Sequence, residues 1–394
     1  MKSLFSPGPR VRALALFAAL VVASCGGGVD SGGTGGPTVL AAGPVTGLGS
    51  VTVNGVRFDD SAATIVDQDG RVLSADQLQV GMAADIDASA IVASAATATA
   101  TALTIRTHSE IVGPVEAVNR LGTVMIILGQ PVRVTVATWF DELLQGGIGA
   151  VAIGDVVEVW GQYNARTGEY VATRIAPRPG ATSFELRGPL AAVDNVAQTI
   201  VVGGLVVGIA AIPAAQRPTL AIGRFVRVTL ATAPAAGVWL ASALVPGNGT
   251  LPDRADARWA GRISSLTSAT QFVVNGVTVD ASAATFSDGG VGVVLGARVA
   301  VAGSSSGGVL KAARVTVLGD ETLANSTFEL HGLIGVWSPA QGTLRLHGVT
   351  VNVGSAVQFV GGSVADLAVG KQIDVIGTLT VNGIGIDAQT ITFE

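Results

Sequence analysis

One cysteine, Cys25, three histidines and only 13% charged residues leave this chain little material for catalysis. A lone thiol excludes an internal disulfide, and three scattered histidines without cysteine partners fall short of the ligand count of a zinc site. Aromatic residues make up 5% of the total, and Lys and Arg nowhere form a run. Binding to nucleic acid needs clustered cations that displace counterions from phosphate, so that class of partner is excluded. The first 24 residues hold Lys2, Arg10 and Arg12 and no acid; without these three, 20 of the 23 basic residues face 28 acidic ones, a formal balance of −8.

Glycine and small aliphatic residues are abundant. With 53 Gly and 49% apolar residues in 394, dominated by Val, Ile, Thr and Ala, the chain predicts many short strands and tight turns rather than amphipathic helices. Its length exceeds one ordinary core and predicts several domains.

One stretch, Phe272-Val273-Val274-Asn275-Gly276-Val277-Thr278-Val279, recurs in degraded form. Asn-Gly between alternating apolar residues is the strongest local signal for a two-residue type I′ hairpin, because both turn residues need φ > 0. Copies stand at Val51 to Phe58 around Asn54-Gly55, at Ile200 to Val207 around Gly203-Gly204, and at Leu344 to Val351 around His347-Gly348. In Leu128-Gly129-Gln130-Pro131-Val132-Arg133-Val134 the return strand is displaced by one residue, which predicts a three-residue loop with a bulge.

Two further landmarks share the same period. A strand opens with Gly at Gly43, Gly113, Gly188, Gly261 and Gly332, and an aliphatic-Gly pair precedes an alternating strand at Gly81, Gly154, Gly223, Gly296 and Gly370. Each repeat then reads as strand, hairpin strand, return strand, a link with a helical turn such as Ser74 to Leu78 or Ser363 to Leu367, and two more strands. That is the strand order of an OB-type barrel, and closure removes exposed edges. The expectation is an all-β protein of five tandem small OB-like β-barrel repeats at 43–110, 111–180, 184–247, 257–320 and 328–394. Short links between units of this size predict that neighbours pack into a stiff rod or arc, bent at Pro246 to Ala257.

The chain also opens with an address. Residues 1–24 form a positive region followed by an apolar run, Ala13 to Ser24, that is too short to cross a membrane as a stable helix, the pattern of a signal peptide. It ends in Val22-Ala23-Ser24-Cys25, which resembles the lipobox of bacterial lipoproteins. The resemblance implies acylation of Cys25, a flexible Gly-rich tether over 25–38 and, from Gly26, an outer-membrane destination in a Gram-negative envelope. Together with the tandem "VNGV" hairpins and the later "VG..V.V.G" strand, these features resemble the bacterial family called domain of unknown function 5666. The similarity covers residues 43–394, best in the first, fourth and fifth units and weakest in the third. It implies a small β-barrel fold in an envelope protein and carries no catalytic residues over.

Four places hold residue types that could carry chemistry. Gly303-Ser304-Ser305-Ser306-Gly307 matches a nucleophile elbow in letters only, since an elbow joins a strand to a helix and here two strands flank it. Asp59-Asp60 and Asp67-Gln68-Asp69-Gly70 offer carboxylates for calcium but lack the later bidentate Glu of an EF-hand, and read as turn acids. His331 and His347 read as a strand and a turn histidine, and no metal or cofactor is expected. The second unit is richest in aromatics: Val157 and Val159 face inward, so Trp160 is expected to face outward beside Tyr163, with Trp139 near. These three are candidate ligand contacts for an envelope glycan or protein, or else packing residues against an adjacent repeat. The function expected is a non-catalytic lipid-anchored binding or spacer scaffold; the alternative is a carbohydrate or surface-polymer binding module centred on the second repeat.

Overall fold

The structure, a computed structural model, describes residues 38–94, 97–121, 123–248, 251–319 and 327–394. The signal segment 1–24, Cys25 and the tether up to Pro37 lie outside the described residues. The fold is all-β: among the described residues only strands and single-turn 3₁₀ helices occur, including Ala75–Gln77 and Val364–Asp366 in the links expected to hold a helical turn.

Strand Val39–Leu48 pairs antiparallel with Val51–Val53, which pairs with Val56–Asp59. Val56–Asp59 runs parallel to Ala98–His108, which pairs with Ala83–Ala88, and Ala83–Ala88 returns to Val39–Leu48. The circuit closes into a small barrel-like sheet without a free edge. Equivalent circuits form within 111–177, 184–246 and 254–318. Within 327–393 the opening strand is interrupted between Thr327–Leu333 and Val336–Ser338.

The turn chemistry follows the sequence. Asn54 and Gly55 have φ of 53° and 73°, and Asn275 and Gly276 46° and 81°, as type I′ requires. The loop at Leu128 differs from expectation: Ile127 faces Gln130 across a two-residue turn, with φ of 48° at Leu128 and 69° at Gly129. Leu128 is fully buried over Gly113, where a Cβ would stand 2.5 Å from its Cγ. Burying a leucine is worth about 1.5–3 kcal/mol and offsets the ~1–2 kcal/mol of a left-handed residue.

The two glycine landmarks serve closure. Gly81 N–H donates to the Val45 carbonyl at 2.9 Å, and Val45 N–H to the Met82 carbonyl at 2.8 Å. Gly154, Gly223, Gly296 and Gly370 make the same bond to Val115, Leu190, Ile263 and Ile334. In the opening strand, a Cβ at Gly43, Gly261 or Gly332 would stand 2.6, 2.6 or 2.7 Å from the side chain of Asn54, Asn275 or His347 in the hairpin turn. A third glycine sits where the last two strands shift register, at Gly161, Gly303 and Gly377. Residues Gly303 to Ser306 end strand Arg298–Ser306, and the chain reverses at Gly307-Gly308 into Val309–Leu318. The hairpin expected there is present, with the serines on the strand.

A rod of successive neighbours is not formed. Val39 to Ala42 pair in parallel with Asp256 to Trp259, and Gly47-Leu48 with Glu329-Leu330, so the first segment joins both the fourth and the fifth. Ile111-Val112 pair with Glu185-Leu186, joining the second to the third. The expected bend is part strand, since Arg254–Ser268 begins inside it and takes up that parallel pairing. One core cluster runs through the first and fifth segments, a second through the second and third, and a third fills the fourth. Apolar residues left over on outer strand faces gain more by mutual burial than a linear array allows.

Candidate functional site

The second segment's aromatics occupy two different places. Val157 and Val159 face the barrel interior and Trp160 turns away from it, as strand alternation requires. It does not reach solvent: Trp160 is 5% exposed and Trp139 2%, both inside the cluster that runs through the first and fifth segments. The expectation of an exposed Trp160 is corrected, because a neighbouring barrel covers that face. Trp139 stands edge-on to Phe328, with ring centroids 5.0 Å apart. Only Tyr163 keeps an open side, half-buried, with ring centroids 5.2 Å from Tyr170 and 6.1 Å from Phe225.

The acidic loop has a structural occupation. Asp67 Oδ1 accepts the N–H groups of Asp69 and Arg71, each at 2.9 Å. Beyond it, Asp69 meets Arg227 at 2.6 Å, and Gln68 contacts Glu185 and accepts from Arg187 at 3.1 Å. The guanidinium of Arg227 stands where a calcium ion would have to approach Asp69. Asp59 Oδ1 accepts the Ser61 N–H at 3.1 Å, a turn role.

His331 and His347 do not converge as ligands. His347 Nε2 donates to the His331 carbonyl oxygen at 2.8 Å. His331 Nδ1 lies 2.6 Å from Asp374 Oδ1 and 3.6 Å from Glu394 Oε1, the spacing of a three-ligand cluster. Arg57 Nη2 already stands 3.1 Å from that same Asp374 oxygen and supplies the local positive charge.

A cavity of about 310 Å³ opens where the first four segments meet. Ala83–Ala88 and Ala98–His108 bring Asp85 and His108 to it, the connection to the second segment brings Glu110, and the third brings Arg187. His108 Nε2 is 3.8 Å from Asp85 Oδ1 and His108 Nδ1 is 3.9 Å from Glu110 Oε1. Burial disfavours the Asp85 charge, yet His108, Arg187 and Arg106 outweigh it and hold the carboxyl below its usual range. Burial pushes Glu110 the other way, above its usual range, and Arg187 and His108 oppose this only in part. Arg254 is held by Asp87 Oδ1, with Nε at 2.9 Å and Nη2 at 2.6 Å.

Arg187 Nε and His108 Nδ1 are buried without a hydrogen-bond partner, and both residues line this cavity. Both atoms are sealed behind the cavity wall rather than presented to the open space, and an unsatisfied group of this kind costs about 1–3 kcal/mol. These residues escaped sequence reasoning because they converge from the first, third and fourth segments and the connection to the second, and an isolated His108 was the only local signal. A larger groove of about 710 Å³ follows the seam past Trp160. There Arg174 and Asp141 are paired at 3.0 Å.

The family model described as Domain of unknown function (DUF5666) matches residues 112–176, 260–316 and 331–392, in the second, fourth and fifth segments. Three matches spread along the chain are consistent with a DUF5666-like repeat protein. The matched segments are those in which this strand ends in glycine, at Gly161, Gly303 and Gly377, with Ile or Leu replacing a Val of the pattern at Ile153, Leu295 and Ile373. Ala88 and Leu230 stand at that place in the first and third segments, which moves the best similarity from the first to the second. No curated protein matches the chain.

Proposed function

We propose that this DUF5666-type repeat protein is a non-catalytic, lipid-anchored protein of the cell envelope, built from five OB-type barrels that act as a binding scaffold. The observation that carries the reading is the cavity where barrels distant in sequence converge, lined by charged side chains that no single barrel supplies. Four closed circuits in the order 1-2-3-5-4-1, and a fifth whose opening strand is interrupted, support the OB-type count. Ser305, the serine of the elbow-like pattern, donates to the Pro252 carbonyl at 2.6 Å and is tied into the junction. The partners in this reading are the membrane, through lipid on Cys25, and an envelope glycan or protein; nucleic acid is not among them. The destination is the outer membrane, at its periplasmic face or on the surface.

The anchor is tested by labelling cells with a radioactive fatty acid. The chain incorporates label and fractionates with membranes, and Cys25→Ser loses both; an unlabelled parent chain refutes the reading. Protease added to intact cells then separates surface from periplasm, with a periplasmic protein as the control for intactness.

The second reading, a carbohydrate or surface-polymer module centred on the second repeat, is favoured by Tyr163, which keeps a half-open ring on the cavity wall. Trp139 and Trp160 do not contribute an open face to it.

A further inference from the structure

We propose that the cavity between the first four barrels is a binding site for a small neutral saccharide of one or two rings. This rests on the binding-scaffold reading and names its ligand class.

Charge balance supplies the first argument. Asp85, Asp87 and Glu110 are matched by Arg106, Arg187 and Arg254, so the lining has no excess of either sign to attract a simple ion. A lining dense in charges yet formally neutral offers many donors and acceptors side by side. Hydroxyl groups, which donate and accept at once, satisfy both.

Burial supplies the second. Glu110 is 7% exposed and Arg187 8%, and His108 Nδ1 stands 3.9 Å from Glu110 Oε1. A neutral ligand adds no charge next to Glu110, whose ionisation burial already opposes.

The third is shape and the apolar wall. Tyr163, Phe225 and Trp259 line the cavity with Pro44 and Pro252. Aromatic faces suit the C–H faces of a pyranose, while the charged side chains take its rim. At about 310 Å³ the space lies at the lower end of small-molecule sites, which span about 300–1,000 Å³, and excludes a long polymer chain except through a terminal residue.

The test titrates the full chain, purified in detergent, with glucose, galactose, N-acetylglucosamine, maltose, cellobiose and lactose, followed by calorimetry and tryptophan fluorescence. At least one sugar binds saturably, with an affinity that changes less than about twofold between low and moderate salt, as expected for an uncharged ligand. Tyr163→Ala and Arg187→Gln each weaken it at least about tenfold. Trp259→Phe loses most of the fluorescence change while the heat persists. Each variant is melted beside the parent, and Tyr163→Ala decides the matter if Arg187→Gln does not fold.

No saturable heat with any of the six at about 10 mM, or binding that Tyr163→Ala leaves unchanged, overturns the proposal. So does preferential binding of citrate or spermidine with steep salt dependence. Failure here with fatty-acid labelling intact leaves the anchored scaffold standing, whereas loss of labelling removes that reading and leaves sugar binding to be judged on its own.

Discussion

Replacing the same landmark glycine in two barrels separates strain within a barrel from contact between barrels. Gly81 and Gly154 have φ of 87° and 93° and make the same closing hydrogen bond, to Val45 at 2.9 Å and to Val115 at 2.8 Å. A Cβ at Gly154 meets nothing within 4 Å, so Gly154→Ala carries only the left-handed penalty of about 1–2 kcal/mol. At Gly81 a Cβ would stand 2.7 Å from the Thr173 carbonyl oxygen, 3.1 Å from Arg174 Cβ and 3.2 Å from Trp139 Cδ1. Two of these neighbours are backbone or backbone-proximal and cannot swing away. The second segment must therefore back off, stretching the Thr173 Oγ1 bond to the Gly81 carbonyl, 2.6 Å, and the Arg174 Nη1 bond to the Val80 carbonyl, 3.3 Å. Overpacking of that kind adds about 1–3 kcal/mol, for a total of roughly 2–5 kcal/mol at Gly81. Denaturant unfolding followed by tryptophan fluorescence reads the seam directly, because Trp139 and Trp160 lie in it. Gly81→Ala shifts the earliest fluorescence transition to lower denaturant by clearly more than Gly154→Ala does. Equal shifts would refute the assignment of Gly81 to an interface.

Two further perturbations test the seam and the cavity. Trp160→Ala removes a side chain that is 5% exposed and costs about 3–5 kcal/mol, visible as a lowered melting temperature and faster proteolysis between the first and second segments; a change under about 1 kcal/mol would mean the ring is not packed there. Glu110 titrates above its usual range when folded, so the stability tied to its proton is fully present in acid and is lost as pH rises through the folded value. Glu110→Gln cancels that loss: its melting temperature relative to the parent rises from about pH 4 to about pH 8, and a difference flat across that range contradicts the burial argument.

What was legible in the sequence is what adjacent residues decide. Asn54-Gly55 and Asn275-Gly276 fix their turns by local backbone preference, and the alternating aliphatics fix which strand face is inside. The Leu128 turn was misread because its stability comes from Gly113, a residue on another strand. The docking of barrels was illegible for the same reason at larger scale. Val80, Ile153, Ile222 and Val369 hold one equivalent position before the landmark glycine. Val80 is 0% exposed while these three are 71%, 75% and 65% exposed, and Leu295, at the same position in the fourth segment, is 36% exposed. Nothing near Val80 in the sequence distinguishes it from its counterparts; only the arrival of Arg174 from the second segment does.

The aromatic enrichment of the second segment acquires a physical cause from that arrangement. This segment touches all four others: Arg174 reaches Val80 in the first, and Ile111-Val112 pair with Glu185-Leu186 of the third. Asn164 and Arg166 lie where a Cβ at Gly296 of the fourth would point. In the fifth, the Gly383 carbonyl accepts from Phe140 N–H at 2.6 Å and Arg345 meets Glu142 at 2.5 Å. The first segment also has four neighbours, through the strand pairings to the fourth and fifth, Arg174 of the second and Arg227 of the third, so its seam with the second joins two hubs, and large rings bury the most area per residue ordered. Trp139 and Trp160 are thus the residues expected of a hub. Tyr163, on the same barrel but at the cavity, is the one of the three that keeps an open face.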